Sequence, residues 1–501
     1  DGCVLLTKER IIQGVQLEDG TQIFSQTVII TTGTYLSSKV LCGKCAEPLG
    51  PDGEDTNYGL SKSLKSLGFQ LIRLKTGTPP RVYTDSIDFS YGQLELGTDM
   101  PLTFSYQTNP SDMIPFDKQV PCYLIWTTPK THEIIREHLK ESSMYSGIVE
   151  GIGPRYCPSI EDKLVRFADK KQHQLFLEPE SLEINETYIQ GFSTSMPHDV
   201  QEQMVHSLPG FEHAEFLKYA YAIEYDAIQP LQVQRNLMIR NHPGLFIAGQ
   251  ILGTSGYEEA AGAGLLAGIN ASLYIDNKPW FTLRRDQAYL GVMIDDLVTK
   301  GTKEPYRLLS SRSEYRLITR SDNADERLIK LGYDLGLNSK DRYDKYLKRM
   351  DELKVAEHAL DTIYVGLNEK TPKYLESVGE TKPIGSTSYK DLLKRPKVTY
   401  EGLQQCEPKL PVLSSDLGVK IETNVKYKGY IDLEEKDVEK MQAMESLILP
   451  QDLDYSKVEG ISLEAREKLN KIKPKTIGEA SRITNVHPAD IDRLLFLIRK
   501  K

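Results

Sequence analysis

The chain has 501 residues, 27% charged and 39% hydrophobic, with 36 Gly and 26 Pro. That balance excludes a disordered, collagen-like or disulfide-stapled chain and leaves room for two or three domains. No stretch approaches 18 consecutive apolar residues, and the opening Asp1-Gly2-Cys3 lacks the charged and apolar pattern of a targeting peptide, so neither a membrane span nor such a peptide is expected. The six cysteines, at 3, 42, 45, 122, 157 and 406, are too sparse to staple a chain this size and point to a reducing compartment. Charge is uneven: residues 1–300 hold 25 Lys+Arg against 37 Asp+Glu, net −12, and residues 301–501 hold 37 against 34, net +3. The C-terminal part is therefore the side on which a polyanion would land.

In chain order, Val4-Leu5-Leu6, Ile11 to Leu17 and Gln22 to Ile30 read as strands, the last two joined by the turn residues Glu18-Asp19-Gly20. The run Val28-Ile29-Ile30-Thr31-Thr32-Gly33-Thr34 reads as a buried strand ending at a ligand-facing loop. Nothing upstream supplies the first strand and glycine-rich turn of a nucleotide-binding domain, so the chain is expected to start inside one. A loop from Cys42 to Asn57 leads to a short helix pattern (Leu60, Leu64, Leu67) and then to Arg73 to Arg81. Residues 82–239 mix short strands with loops. The strand Gly244 to Gly249 precedes an Ala/Gly-rich helix from about Tyr257 to Leu273. Helices are expected at 284–299, 341–361, 434–447, 462–472 and 488–500, and no internal repeat is visible.

Three stretches carry chemistry. Strand, glycine, polar loop and small-residue helix follow one another from Leu245 to Gly264. Loop glycines let backbone amides approach a ligand, and a helix N-terminus behind them favours negative charge, which suits an anionic or electron-rich cofactor. Gly262 to Ala267 formally satisfies G-x-G-x-x-G/A but lies inside the helix, and close packing of helix on sheet is the alternative for these small residues. Gly151-Ile152-Gly153-Pro154-Arg155-Tyr156-Cys157-Pro158-Ser159 sets a cysteine beside an arginine, and a neighbouring cation favours the thiolate, so Cys157 is a candidate nucleophile; an inert buried thiol is the alternative. Arg312, Arg316 and Arg320 recur every fourth residue and would form one stripe on a helix, suited to phosphate oxygens or to pairing with Glu304, Glu314, Asp322 and Asp325. Near the end, Lys471, Lys473, Lys475, Arg482, Arg493, Arg499, Lys500 and Lys501 cluster around helical segments and suit an RNA backbone or a solvated surface. Cys42-x-x-Cys45 has no second pair at metal spacing and the histidines show no metal motif, so no metal site is expected.

Several long stretches together resemble one family, the flavin-dependent tRNA uridine 5-carboxymethylaminomethyl modification enzymes MnmG/GidA and their mitochondrial counterparts. They are Thr32-Gly33-Thr34, RLKTGTPPR (Arg73 to Arg81), QVPCY (Gln119 to Tyr123), GIGPRYCPSIEDKLVRFAD (Gly151 to Asp169), HQLFLEP (His173 to Pro179), STSMPHDVQ (Ser193 to Gln201), Gly249 to Asn270, Gly301 to Leu328 and TIGEASRI (Thr476 to Ile483). They span nearly the whole chain.

The resemblance implies an α/β fold: an FAD-binding, Rossmann-like domain of the glutathione-reductase type, truncated at its N-terminus, with an inserted α+β domain and a C-terminal all-α region. The boundaries expected are 1–81 with 240–283 for the FAD domain, 82–239 for the insert associated with NAD(P)H, 284–430 for a helical domain and 431–501 for a C-terminal helical domain that docks tRNA and a GTPase partner of the MnmE type. The reaction implied is installation of a carboxymethylaminomethyl (or taurinomethyl) group at C5 of the wobble uridine. The carbon comes from methylenetetrahydrofolate and the amine from glycine or taurine, with reduced flavin taking part. Carried over residue by residue, Cys157 matches the cysteine considered catalytic. Gly33, Thr34, Gln250, Gly253, Thr254, Gly256 and Tyr257 fall to the flavin side. Gly153, Pro154, Arg155, Tyr156, Cys157, Pro158, Ser159, Ile160, Glu161, Asp162 and Lys163 fall in the nicotinamide-nucleotide stretch. Arg312, Arg316, Arg320, Lys473, Lys475 and Arg493 are the residues expected to bind tRNA. A homodimer is expected, and the divergent loops with the lysine-rich tail point to a fungal, mitochondrial-matrix member, or a cytoplasmic one if bacterial. Rival readings are a flavin- and folate-dependent tRNA uridine methyltransferase and a non-catalytic paralogue that binds tRNA or a GTPase.

Overall fold

A computed structural model describes residues 3–499 apart from 101, 102, 104, 106, 157, 367, 368 and 384. The chain divides into one unit of residues 1–282 with 293–309 and a second of 283–292 with 310–501. The first opens as an antiparallel meander of β1 (Cys3–Lys8), β2 (Ile11–Leu17) and β3 (Gln22–Phe24), followed by β4 (Val28–Ile30). The single strand expected over residues 22–30 is thus broken. The Ser25 hydroxyl donates to the Thr27 carbonyl and accepts from the Thr27 amide, a local turn that takes the chain out of the meander so that β4 can pair elsewhere.

Next come β5 (Lys39–Cys42), β6 (Cys45–Glu47), helix α1 (Tyr58–Ser66), started by the Asn57 side-chain carbonyl on the Leu60 amide at 2.9 Å, and β7 (Leu71–Thr78). The strands β8 (Arg81–Val82), β9 (Gln93–Glu95), β10 (Cys122–Trp126), β11 (Gln174–Pro179), β12 (Thr187–Gln190) and β13 (Phe216–Lys218) form an antiparallel sheet in the order β13-β8-β12-β11-β10-β9. Helices α2 (Pro129–Glu137), α3 (Ser143–Ser146), α4 (Ile160–Arg166) and α5 (His198–His206) accompany it. Ile125, Leu175 and Ile189 from the sheet meet Ile135, Ile160 and Val200 from the helices in one buried cluster, each worth roughly 1.5–3 kcal/mol of burial. This mixture of strands and helices is the α+β insert.

The chain then returns through β14 (Tyr221–Ile228) and β15 (Leu245–Ile247). β14 lies between β5 and β7 in the order β6-β5-β14-β7. Its Glu224 and Asp226, two residues apart on one pleat, face a single guanidinium. Arg73 Nη2 lies 3.2 Å from Glu224 Oε1 and Nη1 lies 3.2 Å from Asp226 Oδ1. Glu224 is wholly buried, and its Oε2 accepts from the amides of Glu150 and Gly151 at 3.0 and 3.1 Å. The buried ion pair thereby fixes the start of the 151–159 loop against β7, where Ile152 donates to the Arg73 carbonyl and accepts from the Lys75 amide.

β15 pairs in parallel with β4, Leu245 to Ile247 against Val28 to Ile30. Gly244 makes this possible: its φ is +85°, its carbonyl accepts from Val28 at 2.9 Å, and a Cβ there would sit 2.3 Å from Ile12 Cγ2 and 2.5 Å from the Gln26 carbonyl. Helix α6 (Tyr257–Ile275) follows, then α7 (Tyr289–Lys300), shorter than the 284–299 expected because residues 283–288 are not helical.

The second unit is helical: α8 (Ala324–Asp334), α9 (Lys340–Thr362), α10 (Lys370–Ser377), α11 (Tyr389–Leu393), α12 (Tyr400–Cys406), α13 (Ser415–Glu445), α14 (Leu463–Ile472), α15 (Ile477–Arg482) and α16 (Pro488–Arg499). Leu353, Ala356 and Leu360 of α9 pack with Ile421 and Val425 of α13 around Tyr389 and Leu392. Helix α13 begins at Ser415, well before the 434–447 expected. Only its first turns bury a stripe, Leu417, Ile421 and Val425, and beyond them no apolar period marks the helix. No helix among the described residues is long and apolar enough to cross a membrane.

This frame sets the cost of two kinds of substitution. Gly244→Ala should lower the unfolding free energy by about 2–4 kcal/mol, from a left-handed backbone plus a steric clash, whereas Gly264→Ala in α6, with open space where the added methyl would project, should raise it by about 0.5–1 kcal/mol. Denaturant titration separates them. Arg73→Met leaves the Glu224 carboxylate buried without its guanidinium and should cost about 3–5 kcal/mol, read by the same titration together with faster proteolysis near residue 150.

Candidate functional site

The carboxyl ends of β4 and β15 lie side by side because the two strands are parallel, and each runs into a glycine loop. After β4 comes Thr31-Thr32-Gly33-Thr34, with Gly33 at φ +54°. After β15 comes the 3-10 turn Gly249–Leu252, with Gly249 at φ +80° and Gly253 at +90°. The loops meet: a Cβ on Gly33 would lie 3.9 Å from Gln250 Oε1. Helix α6 starts immediately beyond at Tyr257, with Gly256 as its N-cap.

Polar groups at this edge are left over. Thr254 is fully buried, and neither its hydroxyl nor that of Thr32 has a hydrogen-bond partner among the described residues. A buried hydroxyl left without a partner costs about 1–3 kcal/mol, so a partner from outside the chain is the economical explanation. Backbone free of Cβ atoms, unsatisfied hydroxyls and a helix N-terminus at the carboxyl end of parallel strands are the features of a dinucleotide site. The residues present fit FAD: Gly33, Thr34, Gln250, Gly253, Thr254 and Gly256 are all on these loops. Tyr257 is 88% exposed. Glu259, which carries no signal in the sequence, is buried and holds the adjoining segment of chain, accepting from the Leu308 amide at 2.7 Å and Arg307 Nε at 3.3 Å.

A second concavity lies along β7 and β14. Lys75, Thr76, Gly77 and Ala222 form one side, Ser193, Thr194 and Ser195 another, and Pro154 and Ser159 complete the lining of a space open to solvent. Of these, only Pro154 and Ser159 are expected site residues. Lys75 and the serines escape a reading of the sequence because a lysine in RLKTGTPPR and a serine-rich loop carry no local signal of burial. Of the nicotinamide stretch, Arg155 and Tyr156 are exposed, with Arg155 Nε 3.0 Å from Glu304 Oε2. Gly153 packs its backbone over Lys75. Ser159 caps α4 on the Asp162 amide. Asp162 accepts from Tyr145, and Lys163 Nζ donates to the Gly191 carbonyl at 2.8 Å. Pro158 is half-buried, and Ile160 and Glu161 are fully buried. Cys157 lies outside the described residues. Of the other cysteines, Cys42 faces Cys45 across the β5–β6 hairpin; burial pushes its thiol up to about 11, which keeps it protonated and unreactive at neutral pH.

The arginine stripe expected over Arg312 to Arg320 does not form. Residues 310–312 make a single 3-10 turn and residues 313–319 are irregular, with one turn at 316–318. The amides of Leu317 and Ile318 donate to the Glu434 carboxylate at 3.1 Å instead of to carbonyls four residues back. Arg320 chelates Asp322 at 2.9 and 3.0 Å and bonds the Leu317 carbonyl, while Arg316 is exposed and Arg312 follows Ser311 in the 3-10 turn. Near the end, Lys473 Nζ donates to the Leu453 carbonyl at 2.7 Å and lies over the Tyr455 ring. Lys475 is exposed, and exposed Arg493 lies across Gly460.

Comparison with known proteins covers almost the whole chain. Residues 3–279 match the family described as Glucose inhibited division protein A. Residues 340–435 match the tRNA modifying enzyme MnmG/GidA C-terminal helical domain, and residues 437–501 the C-terminal helical bundle of the same enzymes. The tRNA uridine 5-carboxymethylaminomethyl modification enzyme MnmG of Acholeplasma laidlawii is 49% identical over 499 residues, 99% of this chain and 80% of that protein. That of Caldicellulosiruptor saccharolyticus is 44% identical over 99% and 79%. The structure of Aquifex aeolicus GidA in its form I crystal superposes with a TM-score of 0.88 at 42% identity, covering 99% of this chain and 80% of that one. These relatives are bacterial, which overturns the expected fungal and mitochondrial placement and points to a bacterial cytoplasmic protein. The α/β fold with its helical C-terminal region is that of GidA, and the chain belongs to the MnmG/GidA family of tRNA-modifying enzymes.

Proposed function

We propose that this protein is an FAD-dependent enzyme that modifies tRNA at C5 of the wobble uridine, installing a carboxymethylaminomethyl-type group. One observation carries the flavin part of the reading: the unpartnered Thr32 and Thr254 hydroxyls at the glycine-lined edge of β4 and β15. The likeness to enzymes named for the tRNA uridine reaction, over 99% of the chain, supports the substrate. The match of both C-terminal helical domains favours this reading over a methyltransferase, and stoichiometric flavin would favour it over a non-catalytic paralogue.

In this reading Gly33, Thr34, Gln250, Gly253, Thr254 and Gly256 hold FAD, which when bound supplies the redox chemistry that a one-carbon transfer requires. The carbon comes from methylenetetrahydrofolate and the amine from glycine or taurine. Exposed Arg155 and Tyr156 offer a cation and an aromatic ring to NAD(P)H on the outer side of the 151–159 loop, while Pro154 and Ser159 face the cavity. Uridine C5 is a weak nucleophile until C6 is attacked, so Cys157 is assigned as the thiolate that adds at C6; Arg155, two residues away, favours its ionised form. Arg316, Lys475 and Arg493 are the exposed cations best suited to the tRNA backbone, with a GTPase partner and a second copy of the chain completing the assembly.

Cys157→Ser in the full-length enzyme should lower modification by a factor of about a thousand or more while flavin content stays stoichiometric, measured by mass spectrometry of tRNA nucleosides and by flavin absorbance in the visible. A variant retaining near-normal modification would remove the nucleophile from Cys157, and a wild-type enzyme that never acquires flavin would remove the cofactor reading.

A further inference from the structure

The cavity along β7 and β14 contains a charge with no part in the chemistry assigned so far. Lys75 is 6% exposed, its stem runs beneath Gly153 with Nζ 3.8 Å from where a Cβ would be, and Nζ donates to the Met144 sulfur, a weak acceptor. Across the sheet Lys75 is paired in register with Glu224. On the opposite side of the cavity Glu161 is wholly buried. Its Oε1 accepts from Thr194 Oγ1 at 2.8 Å, the Ser195 amide at 3.1 Å and Ser142 Oγ at 2.9 Å, and its Oε2 has no hydrogen-bond partner among the described residues.

A buried ammonium must be offset. With Glu224 already held by Arg73, Lys75 and the buried Glu161 behind the hydroxyls are the charges left facing the cavity, and they balance. A phosphate brought in here would add negative charge against a single lysine, so the site disfavours it. A neutral ligand with carbonyl oxygens and an N–H is favoured: Lys75 donates, the serine and threonine hydroxyls donate or accept, and Gly77, Pro154 and Ala222 provide small apolar walls for a flat ring. Pro154 and Ser159 stand on either side of residue 157 in sequence.

We infer that this cavity receives the uracil ring of the wobble uridine and that Lys75 Nζ donates a hydrogen bond to its O4. This rests on the function proposed above. The base must leave the anticodon stack to be reached. When a thiolate adds at C6, the S–C6 bond forms, the C5=C6 π bond breaks, and its electron pair spreads over C5 and O4. An ammonium at O4 stabilises that charge where it develops and leaves C5 nucleophilic, with no further reactant.

The test uses full-length enzyme loaded with flavin. Lys75→Met should lower the single-turnover rate about 100-fold or more, with the KM for tRNA and the flavin content close to wild type; Lys75→Arg should recover part of the rate. Independently of activity, fluorine NMR of tRNA carrying 5-fluorouridine at the wobble position, bound to the Cys157→Ser enzyme so that no C6 adduct forms, should show the base ionising at lower pH while Lys75 is present, because a cation at O4 favours the ionised base, and this shift should vanish when Lys75→Met is added. Equal rates, or an unchanged shift, overturn the inference. So does loss of flavin or folding in both Lys75→Met and Lys75→Gln, which would make Lys75 a structural residue. A wild-type enzyme that leaves uridine unmodified fails the parent reading instead.

Discussion

The arrangement of the first unit depends on one buried ion pair. Arg73 sits between Glu224 and Asp226, and Glu224 passes the constraint on through two backbone amides to the 151–159 loop. A wholly buried carboxylate that accepts from a guanidinium and two amides has little freedom to move, because every displacement breaks a charge-assisted hydrogen bond in a medium of low dielectric. The loop carrying Arg155 and Tyr156 is therefore held by the sheet at its start, and at its far side Ser159 caps α4. Such a loop can present the exposed Arg155 and Tyr156 in a fixed place without their being part of regular structure.

The same strands separate two kinds of polar chemistry. At the edge of β4 and β15 the groups left over are neutral hydroxyls and backbone freed of Cβ atoms, which suits a large cofactor gripped mainly by its backbone approach. Along β7 and β14 the groups are charged and balanced, Lys75 against Glu161 with Glu224 taken by Arg73, which suits a small neutral ring. Balance is what distinguishes the second site: with only one of Lys75 and Glu161 present, the cavity would select an ion, whereas together they select a polar molecule without net charge.

Much of this is legible in the residues. The β-branched run ending at Gly33, the strand ending at Gly249 and the long small-residue helix from Tyr257 are readable because strand, glycine and helix each leave a local signature, and the structure has them at 28–30, 245–247 and 257–275. The parallel pairing of β4 with β15 is not readable, since a whole inserted domain separates them and pairing leaves no mark on either strand. The arginine spacing at 312, 316 and 320 misleads for a similar reason. A four-residue period predicts a helix only when nothing else claims the amides, and Glu434, far along the chain, claims those of Leu317 and Ile318.

Lys75 illustrates the remaining gap. In sequence it is one lysine among many in a mixed segment, and a lysine is exposed far more often than not. Its burial comes from three separate segments converging on it: β14 across the sheet, the 151–159 loop above and the serine run at 193–195 opposite. None of those segments announces the meeting, yet each supplies a different part of the recognition, namely an apolar wall, steric cover and hydroxyls. Function in this unit is thus written in the sequence as motifs and completed by long-range contacts that only the fold assembles.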